Sequence, residues 1–460
     1  MNKAKIYLSR ALRLLLLLLG VVGIYMVLDY AISDDTESQT RVAFHDFYEA
    51  DQVDYLFVGT SHTEYGINSC KMSECLNAEC YTLGSSSQDF QSAYWLIKEA
   101  VESKQISHLY YELSFSRMVV EEPNETKTFI ISDYIRSLAN KVAMITDTFD
   151  SEHYVNGFLR LRRNFDISNL YLSTIKETLK AKGTEEYQKY LGTENYVGRG
   201  QWISKDSMAP EGTLALNLDS KFLDDYTMDE VQARELEYLQ KIIDLCREND
   251  VDLNFYMMPY SEVYIMNCSE YESLVQVLYD IAEENNIPLM DFNCIRNDVL
   301  QLDCSSFFNV DHVTYETSEQ LAEVFAACIQ DPSGDWFTDS LEEKYPHSDD
   351  VRALGFELQH FKKNGKEIKS KDSWSKSATI KVTISAFGYQ EIPVEVRLWK
   401  LTKTEEGWME VGEIEGIKQD ACRTSFSLPY DGMKTRYKAQ LLDPETGEVL
   451  YETTTQFEMT

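Results

Sequence analysis

The stretch "YLFVGTSHTEYGIN", Tyr55 to Asn68, decides how the chain is read. Tyr55 to Val58 are apolar or aromatic and run straight into Gly59, Thr60 and Ser61, the pattern of a buried strand ending in a tight turn. Ser61 therefore stands at a strand's carboxyl end. In open α/β sheets that edge binds ligands, because the strand-to-helix turns leave a crevice there. Two readings of Ser61 stand side by side: a nucleophile, or a Ser/Thr cap on the helix that follows.

Outward from Tyr55, strand-like and helix-like segments alternate. "YLFVG" is followed by a helical stretch near 69 to 77, then "CYTLG", an amphipathic helix from about Asp89 to Ser103, and "HLYYELSF". From about 120 to 227 the chain carries helical patterns and loops, including "YVGRGQW", without clear strands, which reads as a helical insertion. The alternation resumes with a helix from about Met228 to Asn249, the strand "LNFYMMP", a helix near 269 to 286, the short strand "PLMDF" and a final helix from Glu316 to Ile329. Such alternation predicts α/β architecture with one parallel sheet and helices on both faces, occupying residues 51–332. Beyond it, "DPSGD" and "YPHSDD" punctuate a linker at 333–349. The short alternating runs "ATIKVTISAF", "IPVEVRLWKL", "TSFSLPY", "KAQLLD" and "VLYETTTQFEM" then predict an all-β sandwich over 350–460.

The N-terminus has a different character. Lys3, Lys5, Arg10 and Arg13 precede the fifteen-residue apolar run Leu14 to Leu28, closed by Asp29. Basic residues stay on the cytoplasmic side, so residues 1–33 read as a transmembrane signal anchor, with a cleaved signal peptide as the alternative. Either way the remainder is exported, with residues 34–50 as a polar stalk. The chain of 460 residues has 77 Asp plus Glu against 43 Lys plus Arg, a formal net charge of −34. Its 29 Tyr and 21 Phe argue against a disordered acidic chain, and its surface repels phosphate backbones, which disfavours nucleic acid as a partner. Nine cysteines lie scattered without CxxC or Cys/His ligand spacing, so neither a metal nor a cofactor is indicated, and buried thiols are expected.

Acyl chemistry through a serine needs a base within reach and donors where the oxyanion forms. Of seven histidines, His312 in "FFNVDHVTYETSEQLAEVF" lies after the last strand and directly before a helix, which assigns it to the same sheet edge as Ser61. His62 is the competitor, but adjacent residues on a turn usually point apart.

"FVGTSH" resembles the first block of the SGNH/GDSL hydrolases, and "NVDH" resembles their last block, Asp-x-x-His. "YTLGSSSQDFQ" is similar to the second block, Asn-x-Gly-x-x-Gly, and "YELSFSR" falls where the third, Gly-x-Asn-Asp, belongs. The resemblance covers about residues 50 to 330 and implies a three-layer SGNH-type fold with Ser61 as nucleophile and His312 as base. The oxyanion donors it implies are Ser61, Ser87 at the second-block glycine and Ser116 at the third-block asparagine, with Arg117 beside it. Asn309 occupies the aspartate position three before His312, and Asp311 is the neighbouring carboxylate; either one orients the imidazole, or the site runs as a Ser-His dyad.

The membrane-proximal start and the C-terminal β domain resemble the exported alginate O-acetyltransferase and lipoteichoic-acid D-alanylation branch. That likeness implies an acyltransferase or esterase acting on O-acyl groups of a cell-envelope polysaccharide or teichoic-acid-like polymer. It also implies a membrane-bound O-acyltransferase as partner and a carbohydrate-binding or immunoglobulin-like role for the β domain. The alternative is a non-catalytic SGNH-like scaffold at the cell surface.

Overall fold

The computed structural model describes residues 3–163, 167–204, 226–261, 264–265, 268, 270–309, 311–344, 353–360, 379–387, 394–404, 407–419, 423–429, 435–442, 446–447 and 449–454. The chain divides into two compact units, Met1–Ile203 with Gln232–Asn254, and Ser204–Val231 with Phe255–Thr460.

In the first unit, α1 (Lys3–Ile32) contains a 24-residue apolar stretch, Ser9–Ile32, long and apolar enough to cross a membrane or to serve as a signal sequence. The segment expected as a polar stalk is instead largely helical. Ser38 caps α2 (Gln39–Glu49), whose Val42, Ala43, Phe44 and Phe47 are buried. Thr40 and Arg41 of the same helix are buried with them.

The sheet strands are β1 (Val53–Gly59), β2 (Cys80–Gly84) and β3 (Ile106–Glu112), then β6 (Asp252–Met257) and β7 (Leu289–Asp291) after a small hairpin. Strand order is β2-β1-β3-β6-β7, and the pairings of β1 with β2, β1 with β3 and β6 with β7 are parallel, as the alternation predicts. Leu56, Phe57 and Val58 of β1 have no exposed surface, which is why the strand reads as a continuous apolar run with no polar alternation. Two short helices follow β1, α3 (Ser61–Gly66) and α4 (Ser69–Leu76), and α5 (Phe90–Ser103), capped by Asp89, follows β2.

The insertion is mainly helical: α6 (Glu125–Ser132), α7 (Leu138–Thr148), α8 (Tyr154–Phe158), α9 (Arg160–Arg163), α10 (Leu172–Lys182) and α11 (Glu185–Gln188). "YVGRGQW" departs from the expectation of loops and forms a hairpin, β4 (Tyr196–Gly198) with β5 (Gln201–Trp202). Arg199 O at its tip accepts from Thr82 N at 2.9 Å. Gly200 has φ +94°, and a Cβ there would lie 1.8 Å from Thr82 O, so this approach to β2 requires glycine. The first unit closes with α12 (Ala233–Glu248), which begins later than Met228; residues Met228–Glu230 form a separate 3₁₀ turn. Tyr238 of α12 packs edge-on against Tyr94 of α5.

In the second unit, α13 (Tyr271–Asn285) and α14 (Tyr315–Gln330) accompany the end of β6 and β7, with Phe325 of α14 packed on Tyr256 and Phe292. A four-residue helix, α15 (Leu341–Lys344), follows α14. The C-terminal part is β structure in two antiparallel sheets. One has the order β12-β9-β8, from β8 (Ala353–His360), β9 (Thr379–Phe387) and β12 (Arg423–Pro429). The other has the order β11-β10-β13-β14, from β10 (Val394–Thr404), β11 (Gly407–Gln419), β13 (Thr435–Leu442) and β14 (Val449–Thr454). Cys80, Cys246, Cys294 and Cys328 are buried thiols outside any disulfide.

Candidate active site

The turn after β1 bears on one of the two readings of Ser61, the helix cap. Thr60 is the helix cap: it has extended backbone and its Oγ1 accepts from His62 N at 3.2 Å. Ser61 is the first residue of α3, so the capping explanation belongs to its neighbour. The turn after β2 joins the same edge, because Ser85 N donates to Gly59 O at 3.1 Å. Within that turn Ser87 has φ +53°, the left-handed conformation that favours glycine. A serine thus holds a backbone conformation that glycine adopts more readily.

The turn after β3 is tied to the first by a carboxylate that sequence reasoning missed. Glu112, the last residue of β3, is fully buried. It accepts from Thr60 N at 2.7 Å and Thr63 Oγ1 at 2.6 Å, and it faces His62 Nδ1 at 3.1 Å. Burial pushes the Glu112 carboxyl up, but the bonds from His62, Thr63 and Thr60 outweigh it and hold the group below its ordinary value. Gly59 is required beneath this network, since a Cβ there would lie 2.4 Å from Glu112 Oε2. The signal was a charged residue closing the apolar run Leu109–Tyr111. Four residues on, Ser116 is buried in a 3₁₀ turn, and its Oγ accepts from Arg117 Nε at 3.2 Å and Arg117 Nη2 at 3.1 Å. Arg117 is thereby placed as a cation at the end of the third strand's turn.

Glu64 is another buried carboxyl of α3. Burial pushes it up to about 8, with the Lys127 ammonium pulling the other way, so it is mostly protonated at neutral pH.

The second unit holds Asn309, Asp311 and His312 in one arrangement. His312 Nδ1 lies 2.7 Å from Asp311 Oδ1 and 3.0 Å from Asn309 Oδ1. Asn309 Oδ1 also accepts from His312 N at 2.8 Å and Asp311 N at 3.2 Å, which identifies that atom as the oxygen of the amide. Both of these neighbours of Nδ1 are acceptors, so Nδ1 carries a proton and the neutral ring presents Nε2 as the base. The ring stacks against Phe308 with centroids 5.3 Å apart, and the loop is closed by Phe308 N donating to His312 O at 2.9 Å. Thr314 then caps α14, which fixes His312 two residues before the helix cap.

Ser61, Ser87 and Ser116 therefore lie in the three successive turns of the first unit. Asn309, Asp311 and His312 lie together in the second.

No family model matches the chain, and no curated protein matches it. Among solved structures it is similar to a GDSL-like lipase from Bacteroides thetaiotaomicron VPI-5482, with 10% identity, a TM-score of 0.31, and coverage of 65% of this chain and 99% of that one. It is also similar to a gut microbial diltiazem-metabolizing enzyme, with 10% identity, a TM-score of 0.31, and coverage of 80% of this chain and 73% of that one. Likeness of this extent leaves the chemistry of the chain to its own residues.

Proposed function

We propose that the chain is an exported, membrane-anchored serine acyltransferase or esterase of SGNH type, acting on O-acyl groups of a cell-envelope polysaccharide or teichoic-acid-like polymer. The observation that carries this reading is the position of His312 Nδ1 between Asp311 Oδ1 and Asn309 Oδ1, which in the neutral ring places the proton on Nδ1 and leaves Nε2 as the base. In this reading Ser61 Oγ attacks the acyl carbonyl carbon while its proton passes to His312 Nε2. The oxyanion is met by the backbone N–H groups of Ser61 and Ser87 and by the Ser116–Arg117 pair. Collapse of the tetrahedral intermediate expels the donor oxygen, which takes the proton from the imidazolium and leaves an ester on Ser61. A water or a polymer hydroxyl then attacks that ester, with His312 again removing the proton.

The envelope substrate, the sandwich as a carbohydrate-binding or immunoglobulin-like module and a membrane-bound O-acyltransferase as partner follow from the resemblance of the blocks and the domain order. A second reading, a non-catalytic surface scaffold, is favoured by Ser116 in place of an asparagine donor. The test is labelling of the purified full-length chain with a fluorophosphonate, followed by peptide mass spectrometry. The adduct is expected on Ser61. A chain that stays unlabelled under conditions that label an authentic serine esterase would favour the scaffold.

A further inference from the structure

The carboxyl end of α1 is held by the helical insertion, and that contact fixes where the insertion sits along the apolar helix. Arg160 Nη2 pairs with Asp29 Oδ2 at 2.9 Å, and Arg160 Nη1 pairs with Asp35 Oδ2 at 2.9 Å. Lys182 Nζ donates to Tyr30 O at 3.0 Å and Ser33 O at 2.5 Å. Leu161 N donates to Tyr25 Oη at 3.3 Å. Tyr25 lies one turn, about 6 Å, inward of Asp29 along α1, on the side of the Leu14–Leu28 run. The backbone around Leu161 is thus level with the last turn of the apolar stretch.

Beside these contacts the insertion presents large apolar side chains to the exterior. Leu172 is 81% exposed, Ile167 72% and Tyr171 61%, and Leu159 and Leu170 are also exposed. Along α10, Leu172, Ile175 and Leu179 follow helical spacing and form one stripe, with exposed Lys176 and Lys180 at its border. Arg162 is exposed as well. Of the six Lys or Arg from Phe158 to Lys182, Arg160, Arg163 and Lys182 are ion-paired within the unit, and Arg162, Lys176 and Lys180 are exposed, inside a chain of net charge −34. An apolar stripe edged by cations, continuous with the end of a membrane-length helix, has the composition of an interfacial element.

We propose that residues 158–163 and 167–182 form a foot that rests in the anionic lipid headgroup layer where α1 emerges, with Ile167, Tyr171 and Leu172 reaching the acyl boundary. The foot rests on the reading of α1 as a retained anchor. It would hold the Ser61-bearing unit against the membrane instead of letting it swing on a tether.

The test uses full-length protein reconstituted in vesicles of phosphatidylglycerol and phosphatidylcholine whose acyl chains are brominated near the headgroup. Ile167→Trp and Leu172→Trp are compared with Glu237→Trp on the exposed side of α12, each read as emission added over the parent chain. The two insertion positions are expected to lose at least roughly twofold more of their added emission than the control. The loss should shrink in vesicles of phosphatidylcholine alone. Equal quenching at all three positions would overturn the proposal and leave the apolar face to a protein partner. Unchanged quenching without phosphatidylglycerol would overturn the anionic assignment. The intact mass of the membrane-extracted protein separates these outcomes from failure of the anchor reading, since a cleaved chain lacks the mass of α1.

Discussion

Glu112 holds His62 Nδ1 at 3.1 Å from the far side of the turn that carries Ser61, so the histidine adjacent to the serine is committed to the end of β3. Both side chains are buried, and the same carboxylate also receives Thr60 and Thr63. Removing the charge leaves His62 and two Thr donors competing for a weaker acceptor. Glu112→Gln should therefore cost about 3 kcal/mol of stability, read from chemical denaturation near neutral pH. The Glu112 carboxyl is held below its ordinary value of 4.5, so its contribution is complete above that value and is lost as pH falls through the lower folded-state value. Parent and variant should converge in acid; a constant gap down to low pH would contradict the assignment.

Ser61→Ala and His312→Ala should each remove acyl-ester cleavage by roughly 10³-fold or more, and the double variant should lose little beyond either single one, because groups that act as a unit are not additive. His62→Ala offers the contrast. It should lower stability through the loss of the Glu112 pair while keeping measurable turnover. Full activity in Ser61→Ala would return Ser61 to a purely structural place in its turn.

Much of the α/β unit was legible because its strands are buried on both faces and read as apolar runs bounded by glycine or proline, as "YLFVG" and "NFYMMP" do. Two segments were not. In 34–50 the polar residues outnumber the apolar ones, and only the spacing of Val42, Ala43, Phe44 and Phe47 reveals a packed helix. In "YVGRGQW" the strands have three and two residues, too short for any alternation, and the hairpin exists because Gly200 lets its tip approach Thr82. At the candidate site Ser61, Ser87 and Ser116 fall in the turns after β1, β2 and β3, yet Glu112 escaped notice. A carboxylate inside an apolar run has no motif; its partners Thr60, His62 and Thr63 become visible only when β1 and β3 lie side by side.

Ser87 holds φ +53° in the turn after β2, a conformation that costs a side-chain-bearing residue about 1 kcal/mol relative to glycine. Ser87→Gly should raise stability by roughly 0.5–1 kcal/mol while leaving turnover unchanged, since the backbone N–H proposed for the oxyanion is kept. Ser87→Val should do the reverse on stability. Thermal unfolding beside an ester-cleavage assay checks both, and a large loss of turnover in Ser87→Gly would mean that the hydroxyl itself takes part.

Glu235 of α12 accepts from Phe90 N at 3.0 Å and pairs with Arg234 at 2.7 Å, yet burial, with Asp89 adding to it, pushes its carboxyl up to about 7 from an ordinary 4.5. A raised acid stays neutral longer in the folded chain than in the unfolded one. Its contribution is unimpaired below about 4.5 and is lost as pH climbs through about 7. Unfolding free energy measured at pH 5 and pH 8 should therefore fall more steeply in the parent than in Glu235→Gln, by roughly 2 kcal/mol between those points. Identical pH slopes would show that Arg234 keeps Glu235 ionised throughout.

The orienting group of His312 is open between two neighbours, and their geometry gives different expectations. Asp311 Oδ1 is the nearer at 2.7 Å, and it is the one that can balance an imidazolium, so Asp311→Asn should lower turnover by roughly 10²-fold or more. Asn309 Oδ1 receives three N–H groups, from His312 Nδ1, His312 N and Asp311 N, and serves as the pin of the loop. Asn309→Asp keeps every one of those acceptor contacts and adds negative charge beside Nδ1, so it should be tolerated or raise turnover. Asn309→Leu removes the acceptor from three donors and should loosen the loop, with a fall in both stability and turnover. The discriminating measurement is the pH profile of kcat/KM for an acyl ester. Loss of the Asp311 charge should move the acidic, ascending limb toward lower pH, because a less supported imidazolium gives up its proton sooner. Asn309→Asp should move that limb the other way. If Asp311→Asn leaves the profile in place and Asn309→Asp shifts it, the charge support belongs to position 309 and Asp311 is a bystander at hydrogen-bond distance.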